Sequence, residues 1–331
     1  MSAGSIHSLA RKNSRLHERG LAGHDRSGRF QDSSFAVIGP NRPTSVVFGK
    51  RCWLGHPGRV VLAEVPSRSE MLRALQATPH TDVLIIGGGI NGLSTLRELA
   101  HAGVSVALVE RGDFGSGASA GSSHMIHGGI RYLENGEIRL VKESLQERNR
   151  LLDNAPHYVS PLGTTIPIFS TFSGILSAPL KLLTHKSFST KERGALLIKL
   201  GLMLYDTFGR KKGTLPRHHF LGRRKSLARY PGMNPEVRYT AHYADACVEA
   251  PERLALDVLR EALSHSPTVT ASHYVEAVGF DGDGVVLRDR DSGDEWTHRA
   301  RVVVNASGPW TDLTNEALGQ HSRYMGGTKG S

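Results

Sequence analysis

Residues 82–110 hold the sequence feature that most restricts the fold, an apolar run that leads into a glycine-rich turn. The run at 82–86 is apolar after its first residue, which is typical of a strand buried on both faces. Three glycines follow at the spacing Gly-x-Gly-x-x-Gly: Gly87, Gly89 and Gly92. A helical pattern at 93–100 and a second apolar strand at 104–109 come next, and Glu110 ends that strand. This order of elements predicts a β-α-β unit of the dinucleotide-binding type.

Each residue of this motif has a separate physical task. Gly87 permits the tight turn, Gly89 lets the backbone approach a pyrophosphate, and Gly92 lets the helix pack on the strand. The first turn of the helix presents free N–H groups and a partial positive charge to the phosphates. Glu110 is suited to accept hydrogen bonds from a ribose diol, which favours FAD or NAD over a 2′-phosphorylated nucleotide. A glycine-rich turn without a ligand is the alternative.

The residues after Glu110 favour FAD over NAD. No second βαβ pattern follows at once; residues 111–119 instead form a loop of mostly small side chains, and a further run of small residues lies within 122–133. Small side chains let a backbone run close to an extended cofactor. The segment 305–310 contains Ala306, Ser307 and Gly308 and permits the same approach, with an ordinary strand end as the alternative.

The rest of the chain predicts a mixed α/β architecture. A helix is expected at 137–152, with one apolar face formed by Ile138, Val141, Leu145 and Leu152. Strands are expected at 271–278, 285–290 and 301–304, because turn signals of the Asp-Gly and Ser-Gly kind separate these apolar segments.

Composition narrows the class of protein. The net charge of +10 first suggests an anionic partner, but residues 1–79 carry 12 Lys and Arg against 5 Asp and Glu, so most of the excess lies there and no nucleic-acid partner is expected. Those residues also lack a sustained hydrophobic period, which predicts a disordered leader or translated upstream sequence. Two cysteines imply no disulfide framework, and no apolar run is long enough to predict a transmembrane helix.

The segment 85–148 resembles the FAD-dependent glycerol-3-phosphate dehydrogenase family, which is part of a flavoprotein group that includes D-amino acid and glycine oxidases. The glycine turn is shared across that group. Two other motifs are typical of a narrower set of proteins: His-Gly-Gly-Ile-Arg-Tyr-Leu at 127–133 and Glu-x-Arg-Leu-Val at 137–141. Sparser similarity continues to residue 331. The chain departs from the family at His124, where lysine is usual, and at 248–252, where paired acids are usual.

The resemblance implies oxidation of sn-glycerol 3-phosphate to dihydroxyacetone phosphate, with hydride transfer to flavin N5 and electrons passed to quinone. The implied catalytic residues are Arg131 and Tyr132, which suit a phosphate group, and His127, which is a candidate base. The predicted FAD-binding residues are Gly87, Gly89, Gly92, Glu110, Arg111, Ser119, Ser123, His124, Ile126, Gly128, Ala306 and Gly308.

Plainer interpretations exist for several of these side chains. Arg131 and Tyr132 also fit a salt bridge and a core aromatic ring, and His127 also fits a structural histidine. The three-residue spacing of His124 and His127 suggests a metal, but no third ligand stands at a suitable spacing, so no metal site is expected.

We therefore predict an α/β fold, with a Rossmann-like FAD-binding domain and an inserted, incomplete α+β substrate domain. The FAD-binding domain is expected at 80–160 and 235–315, and the substrate or cap region at 161–234 and 316–331. The family sequence continues beyond the Lys-Gly of residues 329–330, so the chain is expected to be C-terminally truncated. Two alternatives stay open: a related flavin oxidase that uses oxygen, and an inactive FAD-binding fragment.

The stretch 191–212 is basic and partly amphipathic. Its apolar residues share one helical face: Leu196, Leu197, Leu200, Met203, Leu204 and Phe208. Such a helix lies on an anionic membrane surface or packs on its own protein. Together with the quinone implied by the resemblance, it predicts a cytoplasmic protein peripheral to the inner face of the cytoplasmic membrane.

Overall fold

The computed structural model describes residues 65–130, 132, 137–171, 194–209 and 215–325, together with the backbone of two short strands at 36–39 and 42–45. These residues form two compact units. The first unit contains the described residues up to Gly121 and from Pro251 onward. The second unit is Ser122–Ala250.

The elements are numbered in chain order. The strands are β1 (Ala36–Gly39), β2 (Arg42–Ser45), β3 (His80–Ile86), β4 (Val106–Glu110), β5 (Met125–Ile126), β6 (Val159–Ile168), β7 (His219–Gly222), β8 (Tyr239–Val248), β9 (Val269–His273), β10 (Val275–Asp281), β11 (Gly284–Asp289) and β12 (Glu295–Asn305). The helices are α1 (Arg68–Ala77), α2 (Ile90–His101), α3 (Ile138–Asn154), α4 (Ala195–Gly209), α5 (Arg223–Arg229), α6 (Pro251–His265) and α7 (Thr311–Ala317).

A mixed sheet with a parallel centre organises the first unit. Its main strand order is β10-β11-β12-β3-β4-β9, in which β12, β3, β4 and β9 are parallel. Strands β10 and β11 extend it as an antiparallel meander, and β1 pairs with the end of β12. The carboxyl ends of β3, β4 and β12 therefore meet at one edge, where ligands bind in open α/β sheets.

The apolar run of β3 is buried on both faces, as its sequence predicted. Val83 and Ile85 belong to a core cluster that includes Leu93 of α2 and Leu259 of α6. Leu84, on the opposite face, belongs to a second cluster with residues of β4, β11 and α1. Burial of both faces explains why the strand has no alternating polar residues.

The second unit contains a smaller antiparallel sheet with two helices packed near it. Strand β8 pairs with β6 along its whole length, and also with β5 and β7. Two core clusters hold α3 and α4 to this unit; Leu145 and Tyr205 belong to one, and Leu202 and Ala241 to the other.

The observed unit boundaries differ from the predicted ones. Residues 122–160 and 235–250 were assigned to the FAD-binding domain, but they lie in the second unit because β8 pairs fully with β6. Helix α1 lies inside the stretch that was excluded as a leader, and its Met71 and Leu75 are buried in the first unit. The described fold therefore begins before residue 80.

One predicted helix is confirmed, and two predicted strands have different bounds in the structure. The helix expected at 137–152 is confirmed by α3, with Val141 and Leu145 buried, although Ile138 is exposed. The strand expected at 271–278 is two strands, because Tyr274 has a positive φ of 56° and breaks the run between β9 and β10. Strand β12 begins at Glu295, six residues before the predicted start, since its first half pairs with β11.

One buried histidine gives the first unit a pH-dependent stability. His298 is fully buried, and its Nε2 lies 2.9 Å from Thr81 Oγ1, which itself donates to the Val83 carbonyl. Thr81 therefore accepts from Nε2–H, while Nδ1 has no hydrogen-bond partner among the described residues. Burial, with a smaller contribution from the charge of His80, lowers the pKa of His298 from 6.5 to about 4.

The neutral form of His298 stabilises the fold, so its contribution is complete above pH 6.5 and is lost as the pH falls towards 4. The loss is on the order of 3 kcal/mol. We expect His298→Gln, whose amide still donates to Thr81, to flatten the pH dependence of the free energy of unfolding, measured by urea denaturation. The control His321→Gln, at an exposed histidine, should keep the parent slope. An unchanged slope in His298→Gln would contradict this assignment.

Candidate functional site

The turn between β3 and α2 leaves no room for side chains at two of its three motif glycines. Gly87 has a φ of 114°, and a Cβ there would lie 2.6 Å from the carbonyl oxygen of Ala306. A Cβ on Gly92 would overlap the carbonyl oxygen of Gly87. The first and third glycines are thus required by the turn and by the packing of α2.

Gly89 is different, because space rather than protein surrounds its missing side chain. Its φ of −72° is accessible to any residue, and a Cβ would meet only Ser119 Oγ, at 3.2 Å, among the described atoms within 4 Å. The following residues, Ile90 and Asn91, are exposed. Gly89 is also the N-cap of α2, so the open space lies at the positive end of the helix dipole. This is the geometry that an approaching pyrophosphate needs.

Ser119 reaches the same helix end from the loop after β4. Its Oγ accepts the N–H of Ile90 at 3.0 Å, which places a hydroxyl beside the open turn. The prediction of Ser119 as a cofactor neighbour rested on the resemblance alone. The structure brings it to the glycine turn.

Glu110 ends β4 beside the turn, as the motif spacing predicted. Its carboxylate accepts two backbone N–H groups, from Gly88 at 2.6 Å and from Gly112 at 2.7 Å. These bonds fix the carboxylate, and each oxygen has a further lone pair for a ribose hydroxyl. The side chain of the neighbouring Arg111 is exposed, and its carbonyl accepts a hydrogen bond from Arg290.

Asn305 organises the loop that brings small residues to the turn. Its Oδ1 accepts the N–H of Ser307 at 3.1 Å, and its Nδ2 donates to Asn315 Oδ1 at 2.7 Å. Ala306 is held against Gly87 because its N–H donates to the Ile86 carbonyl at 2.8 Å. Gly308 has a φ of 57°, and a Cβ there would meet no described atom within 4 Å. The small residues of this loop were predicted from the sequence, but the role of the Asn305 side chain in shaping it was not.

FAD fits the residues that the first unit provides. The turn offers a cradle that a Cβ at Gly89 would enter, helix amides lie at its base, and a fixed carboxylate stands where a ribose is expected. Gly87, Gly89, Gly92, Glu110, Ser119 and Ala306 are the predicted residues that the structure brings together there. The β-α-β unit, its open turn and its carboxylate define a dinucleotide-binding protein.

Arg111 and Gly308 also lie in the first unit, and the other predicted residues, apart from Arg131, are described within the second unit. His124 has a positive φ of 58°, and its carbonyl accepts the N–H of Val248 at 2.9 Å. Ile126 pairs with Ala246 in the small sheet. Ser123, His127 and Tyr132 are exposed side chains. Arg131 lies outside the described residues, so its role stays a prediction.

Gly128 and Gly129, between His127 and Tyr132, are closely packed. A Cβ on Gly128 would overlap the Leu145 side chain, and one on Gly129 would overlap the Tyr132 ring. The N–H of Gly128 donates to the hydroxyl of Tyr205 at 2.8 Å. No sequence signal sets Tyr205 apart, because an aromatic residue at helical spacing is usually part of a core.

Metal sites and membrane-spanning helices are two further features that bear on function. Among the residues the structure describes, no group of three or more His, Cys, Asp or Glu side chains is placed to hold a metal ion. Within that same part of the chain, no helix is long and apolar enough to cross a membrane.

Comparison with known proteins identifies the family. A family model described as "FAD dependent oxidoreductase" matches residues 82–331, and the chain belongs to this family. A D-erythritol 1-phosphate dehydrogenase of Brucella abortus (strain 2308) is 37% identical over 262 residues, covering 77% of this chain and 47% of that protein. A glycerol-3-phosphate dehydrogenase of Synechocystis sp. is 35% identical over 270 residues, covering 76% of this chain and 44% of that protein.

A solved structure supports the fold. The FAD-complexed glycerol-3-phosphate dehydrogenase from Bacillus halodurans superposes with a TM-score of 0.51 at 23% identity, covering 76% of this chain and 39% of that one. The chain spans less than half the length of the two curated relatives above. The predicted family resemblance, the α/β fold and the FAD cofactor are thereby confirmed.

Proposed function

We propose that the protein oxidises a polyol phosphate with FAD, and that this substrate is sn-glycerol 3-phosphate, converted to dihydroxyacetone phosphate. The observation that carries the proposal is the open Gly89 turn with Glu110 beside it, because this arrangement suits a bound dinucleotide. The names of two relatives support the substrate class, since both refer to a phosphorylated polyol. Glycerol 3-phosphate is favoured by the narrower motif at 127–133.

The proposed chemistry assigns three tasks to side chains of this chain. Arg131 binds the substrate phosphate, because a guanidinium presents paired N–H donors to phosphate oxygens. Tyr132 adds a hydroxyl donor, and its exposed ring leaves it free to meet a substrate. His127 is the candidate base that takes the proton of the C2 hydroxyl, and its side chain is exposed. FAD, when bound, supplies the hydride acceptor.

The proposal includes quinone as the electron acceptor and contact with a membrane. Helix α4 supports the proposed membrane contact, because four of its apolar side chains are exposed: Leu196, Leu200, Met203 and Leu204. Lys199 lies among them and is also exposed. An apolar helix face with a basic residue suits a surface of anionic lipid. The alternative of a helix packed on its own protein accounts for the other face, where Ile198, Leu202 and Tyr205 are buried.

One experiment tests the substrate and the acceptor in sequence. We expect glycerol 3-phosphate to bleach the visible flavin absorbance of the purified protein under anaerobic conditions, and glycerol to leave it unchanged. Addition of anionic liposomes that contain quinone should then restore the absorbance faster than air does, and the protein should sediment with them.

The outcomes separate the competing functions. Reduction by D-erythritol 1-phosphate alone would replace the proposed substrate with the other polyol phosphate. Faster reoxidation by air would favour an oxidase, and the absence of reduction by either phosphate would favour an inactive FAD-binding fragment.

A further inference from the structure

Tyr205 is a buried residue of α4 with two hydrogen bonds on its hydroxyl. The side chain is 2% exposed and packs with Val141 and Leu145 of α3. The hydroxyl donates to Asp245 Oδ1 and accepts the N–H of Gly128 at 2.8 Å. Because the hydroxyl both donates and accepts, it links the strand residue Asp245 to the backbone of the loop at Gly128.

A buried ion pair fixes the direction of these bonds. Asp245 is 1% exposed, and its Oδ1 also accepts from Arg148 Nη1 at 3.0 Å. Arg148 is equally buried and donates further to the Ala244 carbonyl and to Asn149. Because an ionised Asp245 only accepts, the Tyr205 proton points to it, and the oxygen lone pairs are left for Gly128. Burial and the Asp245 carboxylate raise the pKa of Tyr205, which keeps the hydroxyl protonated.

The loop backbone at Gly128 and Gly129 is closely packed by neighbouring side chains. Leu145 and Tyr205 occupy the space next to Gly128, and the Tyr132 ring occupies the space next to Gly129. The turn is closed by a hydrogen bond from the Tyr132 N–H to the Gly129 carbonyl, at 2.8 Å. The bond to Tyr205 therefore adds a polar anchor from another element to a segment that is also held by packing and by this turn.

We propose that Tyr205 is the positioning residue for the loop at 127–130 and for Tyr132, with Asp245 and Arg148 orienting its hydroxyl. Its task is to hold the Gly128 amide so that the side chains on either side, His127 and Tyr132, stay in one arrangement. The inference rests on the proposed function for its consequence in catalysis. The loop geometry itself does not depend on which substrate is used.

The substitution Tyr205→Phe tests the anchor with little change in packing. The ring is kept, the Gly128 amide loses its acceptor, and we expect amide hydrogen exchange of a peptide covering 125–132 to become about tenfold faster. The matched control is Tyr239→Phe, on β8 in the same unit, where no described residue bonds the hydroxyl. Exchange measured by mass spectrometry in the control should equal that of the parent chain.

A second readout separates positioning from general stability. In the FAD-bound full chain, Tyr205→Phe is expected to lower the rate constant of flavin reduction by glycerol 3-phosphate about tenfold at saturating substrate, while the FAD content stays equimolar. Faster exchange throughout the second unit would assign Tyr205 a merely structural role and overturn the proposal. Parent-like exchange at 125–132 would also overturn it.

Failure of the proposed function and failure of the positioning role of Tyr205 give different results. If the parent chain is not reduced by glycerol 3-phosphate, the proposed function fails, yet the exchange experiment still decides whether Tyr205 anchors the loop. If the parent is reduced and Tyr205→Phe is reduced at the same rate, the positioning role fails while the proposed function stands.

Discussion

Replacement of Gly89 by valine is expected to abolish FAD retention while the first unit stays folded. The branched side chain would enter the open space at the N-terminus of α2, where the pyrophosphate is expected to bind. The backbone tolerates it, because the φ of −72° and ψ of 175° at Gly89 are extended values that valine adopts readily. The cost in the free energy of unfolding should be about 1 kcal/mol, from the poor N-cap preference of valine.

The measurement is the ratio of FAD to protein after purification, with thermal unfolding followed by circular dichroism. Gly163→Val is the matched control, because a Cβ at this strand glycine would meet no described atom within 4 Å. The control should keep the FAD of the parent chain. Equimolar FAD in Gly89→Val would mean that the pyrophosphate does not bind at this turn.

Replacement of Arg148 by methionine is expected to lower the free energy of unfolding of the second unit by about 3–5 kcal/mol. Methionine keeps most of the side-chain volume but leaves the carboxylate of Asp245 buried without its cation. The Ala244 carbonyl also loses a donor. A loss of this size is a large fraction of the stability of an ordinary domain, which is about 5–15 kcal/mol.

Arg150, on the same helix, provides the comparison. Its side chain is 40% exposed and pairs with Glu147, which is exposed to a similar degree. A surface pair of this kind contributes about 0–1 kcal/mol, so Arg150→Met should unfold close to the parent in urea. Equal, small effects for the two variants would show that the Arg148–Asp245 pair does not stabilise the unit as its burial implies.

The nucleotide-binding half of the site was predictable because its signals are local. The strand at β3, the glycine turn and the start of α2 follow one another in the chain, and the spacing to Glu110 is set by the length of one helix and one strand. A Cβ on Gly92 would overlap the Gly87 carbonyl nearby in the chain, and the positive φ of Gly87 is a requirement of the turn itself, so the sequence alone indicates their tasks. Gly89 differs from these two glycines in the structure, because the space that its side chain would occupy is open.

The parts that escaped prediction depend on contacts between distant segments. The break at Tyr274 arises because β9 pairs with β4 whereas β10 pairs with β11. Tyr205 bonds Gly128 and Asp245, which are far from it in the chain. Contacts between such distant residues leave no periodic pattern in the sequence. Helix α1 did have a local signal, because Ser67 and Glu70 form a capping pair in which Glu70 accepts the Ser67 N–H at 2.8 Å.

The most direct test of the account is a crystal structure of this chain with FAD. We predict that the pyrophosphate lies on the amides at the Gly89 turn and that a ribose hydroxyl donates to Glu110 at about 2.7 Å. A pyrophosphate bound away from the Gly89 turn, with Glu110 bonded to Gly88 and Gly112 alone, would contradict it.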